Sequence, residues 1–259
     1  MSTILFDEIV YGPIHSRRLG SSLGMNILPY DGKVCSFDCV YCECGLNENF
    51  RTNTKLPSRT DIRYALDYKL QKIKEEKINL DVITFAGNGE PTLHPEFEGI
   101  IDDTIELRNK YFPEVKISVL SNGLQVKKDS VFEALKKVDN PILKLDSGIN
   151  ETAILIDRPN TKDYSVEKQV ELYKKFNHDF ILQTMILKGE IDGKKVDNST
   201  EEEVSALLEI IKELRPREVM IYTIDRETPI KSLRKASIEV LNEIAGKVNA
   251  LGIKTNVAG

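Results

Sequence analysis

Lys33-Val-Cys-Ser-Phe-Asp-Cys-Val-Tyr-Cys-Glu-Cys-Gly45 holds all four cysteines of a 259-residue chain: Cys35, Cys39, Cys42 and Cys44. Thiols crowded this closely, with none elsewhere, point to a soft metal or a metal cluster. Three of them follow C-x3-C-x2-C, with the aromatic Tyr41 just before the third. Upstream, Leu23-Gly-Met-Asn-Ile-Leu28 is an apolar run of strand length bounded by Pro29. The loop therefore hangs from the C-terminal end of a first core strand.

Further outward, helix and strand alternate. Ile62, Ala65, Leu66, Leu70 and Ile73 recur at helical spacing, which predicts a helix over residues 60–77. Residues 81–86 are a buried strand ended by Gly87. Pro95 opens a helix with Phe97, Ile100, Ile101 and Ile105 on one face, and Pro113 stops it. Strands follow at 115–120 and 142–145, with a helix marked by Val131, Leu135 and Val138 between them. Ser165 caps a fourth helix, and residues 179–187 form the next strand. Thr200 with Glu203 makes a capping box for a fifth helix ended by Pro216. A strand over 218–224 and a helix over 237–251, closed by Gly252, complete the series.

Six βα units predict an α/β fold: a partial (β/α)6 TIM-type barrel of parallel strands with outer helices. An open doubly wound sheet is the architectural alternative. The expected layout is one domain: a 1–22 extension, a 23–228 barrel core, and a 229–259 C-terminal helix and tail. In the extension, residues 5–11 suggest a short strand and residues 14–20 a polar loop. The glycines and lysines of residues 188–198 suggest a mobile loop.

Composition bounds the function. Forty-one per cent hydrophobic and 30% charged residues describe an ordinary globular protein. A net charge of −5 supplies no general field for nucleic acid. The first ten residues lack the pattern of a secretory signal, and no apolar stretch approaches the roughly 20 residues of a membrane span. Clustered thiols without an export signal imply a reducing cytoplasm, which also disfavours pairing them as disulfides.

Such folds do chemistry at the C-terminal ends of their strands. Here those ends carry the cysteine loop, then Gly87-Asn88-Gly89-Glu90-Pro91-Thr92, Ser121-Asn122-Gly123, Lys144-Leu145-Asp146-Ser147, Gln183-Thr184-Met185 and Tyr222-Thr223-Ile224-Asp225-Arg226. Gly-rich turns expose backbone carbonyls to a ligand, and Glu90 adds an anionic acceptor. His15, Arg17, Arg18, Arg158 and Arg226 suit a cationic rim for a substrate carboxylate or phosphate. Ion pairing with nearby acids is the alternative use of those arginines. His94 is placed to support the Glu90 turn, and His178 a helix–strand junction.

The cysteine spacing, with Tyr41, resembles the signature of the radical S-adenosylmethionine (radical SAM) superfamily. That resemblance implies that Cys35, Cys39 and Cys42 hold three irons of a 4Fe-4S cluster and leave the fourth iron open for the methionine part of SAM. Cys44 then has no ligand role, because a fourth thiolate would saturate the cluster. Asn88-Gly89-Glu90 resembles the Gly-Gly-Glu motif of the superfamily, with Asn for the first Gly. By position, Asn122 and Ser147, with Asp146 a lesser choice, are implied contacts for the ribose or carboxylate of SAM. Tyr222 and Ile224 are implied contacts for its adenine, with Tyr41 also at the cofactor.

The implied chemistry is reductive cleavage of SAM to a 5′-deoxyadenosyl radical that abstracts hydrogen from a substrate. It calls for an electron donor such as flavodoxin or ferredoxin. An RNA base, a peptide and a small metabolite all stand as substrates. Gly12 to Gly20, Leu28-Pro29, the cysteine loop, Gly89-Glu-Pro-Thr92 and Asp225-Arg-Glu-Thr-Pro229 also look like the branch that includes wyosine-type tRNA-modifying enzymes. Two non-enzymatic readings compete, a zinc loop and an electron-transfer iron–sulfur protein. Zinc sites usually join two well-separated ligand pairs, and a ferredoxin normally uses a fourth cysteine.

Overall fold

The first core strand is one arm of a hairpin. In a computed structural model, which describes residues 4–47 and 53–259, Val10–Ser16 (β1) pairs antiparallel with Gly20–Met25 (β2). Residues expected as a polar loop are thus partly strand. His15 and Ser16 sit opposite Ser21 and Gly20, so main-chain pairing orders a stretch whose side chains are polar.

Arg59–Glu75 (α1) begins where the Ser58 side chain accepts from the Asp61 amide, and it buries Ile62, Leu66, Leu70 and Ile73. Val82–Phe85 (β3) is buried throughout, as a strand covered on both faces must be. Phe97–Tyr111 (α2) lays Phe97, Ile100, Ile101 and Leu107 on the core, each worth about 1.5–3 kcal/mol in removed apolar surface. Lys116–Ser121 (β4), Asp129–Lys137 (α3) and Asn140–Lys144 (β5) continue the alternation.

Asn150–Asp157 (α4) adds a short helix that the apolar spacing did not announce; Arg158 ends it in the left-handed region. Val166–Lys174 (α5) follows its Ser165 cap. Ile181–Ile191 (β6) runs well past its expected end and folds back on Lys194–Asp197 (β7). The segment expected as a loop is therefore a β-hairpin, with lysines on its exposed positions and Ile191 and Val196 buried. Glu201–Leu214 (α6), Glu218–Thr223 (β8), Arg234–Lys235 (β9), Ile238–Ala250 (α7) and Lys254–Ala258 (β10) complete the chain.

The strand order is β1-β2-β3-β4-β5-β6-β8-β10, parallel from β2 onward, in a curled half-barrel. The sheet reaches past the expected core at both ends. β2 begins at Gly20, and β10 joins β8 as a further parallel strand. The main core lies between the sheet and its helices, whereas Ile142, Ile181 and Met220 form a smaller cluster with Leu19 and Leu120. No helix among the described residues is long and apolar enough to cross a membrane.

Candidate active site at the cysteine loop

The loop after β2 is anchored from both sides. Toward β3, the Val34 amide donates to the Asn88 carbonyl at 2.9 Å, and the Glu90 amide donates to the Val34 carbonyl at 2.9 Å. Gly89 lies between them with φ +133°, and a Cβ there would come within 2.0 Å of the Val34 oxygen. Glycine is required by both space and backbone conformation. Toward α4, the Asp38 amide donates to the Asp157 carbonyl at 3.0 Å and the Val40 amide to the Ile156 carbonyl at 2.9 Å. The unforeseen helix is thus the bed on which the cysteines lie.

The thiols differ in their surroundings. Cys35 Sγ accepts from the Phe37 amide at 3.4 Å and from Asn122 Nδ2 at 3.7 Å. Burial, with Glu90 adding to it, pushes this thiol up to about 12, and burial also lifts Cys39. A hydrogen bond from Cys44 brings Cys42 down to about 6, with Lys33 assisting against burial. The same bond raises Cys44, whose Sγ also lies 3.6 Å from the Gly87 carbonyl. The side chain of Lys33 is almost wholly buried and donates to Gly45 O at 3.0 Å and Asp38 Oδ1 at 3.2 Å. Burial opposes its charge, and Cys42, Cys35, Cys39 and Asp38 outweigh that opposition and hold the ammonium above the ordinary lysine range.

The polar residues expected at the SAM contacts divide into two groups. The Asn88 side chain donates to Phe6 O and Pro29 O and accepts from the Phe6 amide, so it fastens the N-terminal segment to two strand ends. Glu90 accepts from Ser121 Oγ at 2.8 Å, the Asn122 amide at 2.7 Å, and the Thr92 amide and hydroxyl. Burial still raises its carboxyl above the ordinary range. Ser147 donates to Glu203 Oε2 at 2.6 Å, a bond directed to α6.

In the second group, Tyr41, Tyr222 and Ile224 line one chamber of about 260 Å3 together with Cys42, Gln183 and Met185. Tyr41 donates to Asp146 Oδ2 at 2.5 Å, and Asp146 Oδ1 accepts from the Met185 amide. Asp146 and Asp157 both accept from Lys144, and they outweigh the burial that opposes its charge. The sequence signal for this cluster was a lysine and an aspartate set in a strand of buried leucines, Leu143-Lys144-Leu145-Asp146.

The rim cations are dispersed. Arg17 meets Asp225 at 3.3 Å and Arg226 meets Glu43 at 2.7 Å, both at the chamber mouth. Arg158 pairs with Asp192 at 2.6 Å, and His15 is exposed on β1; neither lines the chamber. Arg18 does line it. His94 bonds Pro57 O and the Glu96 amide, and His178 bonds Leu214 O.

The family model of the radical SAM superfamily matches residues 30–198, from the loop through the β6–β7 hairpin. The chain belongs to the radical SAM superfamily. This radical SAM protein is 31% identical over 248 residues to the UPF0026 protein of Methanocaldococcus jannaschii, covering 94% of this chain and 72% of that one. It is 32% identical over 225 residues to a protein of Brachyspira hyodysenteriae named GTPase Obg. That match covers 85% of this chain and 30% of the relative, so the chain spans under a third of that protein.

Among solved structures, a radical SAM methyltransferase from Sphaerobacter thermophilus superposes with a TM-score of 0.66 at 16% identity, over 92% of this chain and 66% of that one. Streptococcus suis SuiB bound to S-adenosylmethionine gives 0.65 at 16% identity, over 90% and 51%. TYW1 with a lysine–pyruvate adduct gives 0.60 at 12% identity, over 90% and 74%. At these identities the likeness is one of fold. The superfamily is one of enzymes that use a 4Fe-4S cluster and SAM.

Proposed function

We propose that Cys35, Cys39 and Cys42 hold a 4Fe-4S cluster and that the adjoining chamber binds SAM for hydrogen abstraction from a substrate. The observation that carries this reading is the joint placement of Cys42, Tyr41, Tyr222 and Ile224 around one chamber, with Cys35 hydrogen-bonded to Asn122 beside it. The donor set fits the group. Three thiols surround Lys33, whose positive charge offsets thiolate charge, and Cys35 already accepts two N–H groups, as cluster sulfurs do. No three His, Cys, Asp or Glu side chains among the described residues are grouped to hold a single metal ion. A four-iron cluster instead places each cysteine on a different iron.

When bound and reduced, the cluster supplies the electron that cleaves SAM to methionine and the 5′-deoxyadenosyl radical. The chain does the positioning. Gly89 brings the β3 turn onto the loop, so that the backbone carbonyls of this turn can serve the SAM amine. Glu90 organises Ser121 and Asn122 from behind, and Asn88 locks the turn to Pro29. Tyr41 is held by Asp146, and the Tyr222 and Ile224 strand end offers an adenine-sized apolar wall. At finer grain, the Gly12–Gly20 and Asp225–Pro229 motifs support a place beside the wyosine-type branch.

Anaerobic reconstitution tests the proposal. About four irons per chain and a brown band at about 400 nm are expected, with 5′-deoxyadenosine released on reduction with SAM. Cys35→Ala, Cys39→Ala and Cys42→Ala each lose the band, and Cys44→Ala keeps it. A colourless, zinc-loaded protein sinks the proposal.

A further inference from the structure

The β1–β2 turn delivers one guanidinium to the chamber that no acid of the mouth neutralises. The Arg18 guanidinium carbon lies 4.5 Å above the centre of the Tyr222 ring, and its Nη1 is buried without a hydrogen-bond partner. The neighbouring arginines already have anions: Arg17 has Asp225, and Arg226 has Glu43. Among the described residues Arg18 has no side-chain hydrogen bond or ion pair. Gln183, on β6, is nearly buried, lines the same chamber, and its amide has no protein partner among those residues.

An unpaired guanidinium end withdrawn from water is unfavourable unless the site supplies an anion. Its seat over the Tyr222 ring holds the guanidinium at the chamber wall with Nη1 unpartnered, and a guanidinium so placed can grip an oxyanion. Leu120 and Met185 keep the surroundings apolar and strengthen that attraction. The turn lies across the open side of the half-barrel: Asn256 Nδ2 donates to Arg18 O at 3.4 Å, and Arg17 Nη1 to Gly259 O at 3.1 Å. A cover of this kind over the chamber favours a small molecule beside SAM rather than a polymer.

We propose that Arg18, assisted by Gln183, recognises the carboxylate or phosphate of a small anionic substrate. The inference rests on the radical SAM reading of the same chamber, and it assigns Arg18 to an anion other than the SAM carboxylate, a distinction that the SAM affinity of Arg18→Gln tests.

The test uses cluster-reconstituted, SAM-loaded protein titrated with acetate and with inorganic phosphate at ionic strength balanced by chloride, read by thermal shift and calorimetry. One anion is expected to saturate and raise the melting temperature; the stronger of the two says whether the substrate carries a carboxylate or a phosphate. Arg18→Gln weakens that binding by about tenfold or more, as loss of a charged hydrogen bond does. Arg18→Lys weakens it less, Gln183→Leu weakens it severalfold, and Lys235→Gln on exposed β9 leaves it unchanged. SAM affinity stays the same in Arg18→Gln.

Wild-type protein with an intact cluster and bound SAM that saturates with neither anion overturns the proposal. So does Arg18→Gln that binds the anion as wild type does, or that loses SAM affinity instead. Should Arg18→Gln fail to fold by circular dichroism, Arg18→Lys and Gln183→Leu carry the same comparison, and undiminished anion binding in both overturns it. Absence of cluster and SAM binding in wild type is seen before any anion is added and counts against the radical SAM reading alone.

Discussion

Gly89 shows how little room the loop leaves at its central contact. A methyl group there would meet the Val34 oxygen at 2.0 Å and would also force a side chain onto φ +133°. Gly89→Ala is expected to lose the paired Val34–Asn88 and Glu90–Val34 bonds and to cost on the order of 3 kcal/mol, with lower iron content per chain. Gly246→Ala on α7 is the contrast: nothing lies within 4 Å of a Cβ there, so it is expected to stabilise by about 0.5–1 kcal/mol. Chemical melts of both variants check the difference, and equal effects refute the close-approach argument. Lys33 gives a second residue-scale expectation. Its buried ammonium places a positive charge among the loop thiols. Lys33→Met should make the cluster harder to reduce, by on the order of tens of millivolts, in an electron paramagnetic resonance titration. An unchanged midpoint with full cluster content would show that the charge is screened. The cysteine cluster stands out in the sequence because its spacing is local. Lys33 carries no such signal, because a lysine becomes informative only when its burial is known.

Among the elements, the predictable ones bury a continuous run or stripe of apolar residues. β3 (Val82–Phe85) and the stripes of α1 and α2 carry their positions in their apolar spacing. β10 (Lys254–Ala258) carries no such run, since only Ala258 of its five residues is buried, and its place is set by pairing with β8. α4 is likewise short, with Ile154 exposed, and its value lies in the carbonyls of Ile156 and Asp157 that receive the cysteine loop. The clasp between α1 and α2 yields a pH prediction. Asp103 accepts from Arg59 Nε at 2.7 Å and Nη2 at 2.9 Å, and from Arg63 Nη1 at 3.0 Å. The Arg59 hydrogen bonds hold its carboxyl below the ordinary value of 3.8 in the folded protein. A depressed carboxyl stabilises the fold above that ordinary value and loses its contribution as pH falls through the folded one. With both arginines well exposed, Asp103→Asn should cost only about 0.5–1 kcal/mol at pH 7. The melting-temperature gap between wild type and variant should close as pH falls below 3.8. A gap that persists there would assign the effect to packing.

At the scale of the molecule, the two ends of the sheet face each other without a shared ladder. β1 and β10 stand at opposite ends of the strand order, and the β1–β2 turn reaches β10 through Arg17 to Gly259 and Asn256 to Arg18, with Arg17 also on Asp225. Nothing in the sequence disclosed this seam. Its members are polar residues more than two hundred positions apart, and Arg17 and Arg18 look alike until the fold gives one an acid and the other a ring. Exposed ion pairs contribute little, so the seam is the weakest join around the chamber. Arg17→Ala removes the Asp225 and Gly259 contacts together. Hydrogen exchange should rise in the β1–β2 turn, in residues 225–230 and at the end of β10, while β4, β5 and β6 keep their protection. Global stability should fall by about 1 kcal/mol or less. If the chamber fills through this seam, the same variant should speed both binding and release of the anion that Arg18 holds while leaving the dissociation constant nearly unchanged. Faster exchange across the whole sheet would instead make the seam part of the core, and unchanged exchange at the turn would show that Arg18, seated on Tyr222, closes the barrel by itself.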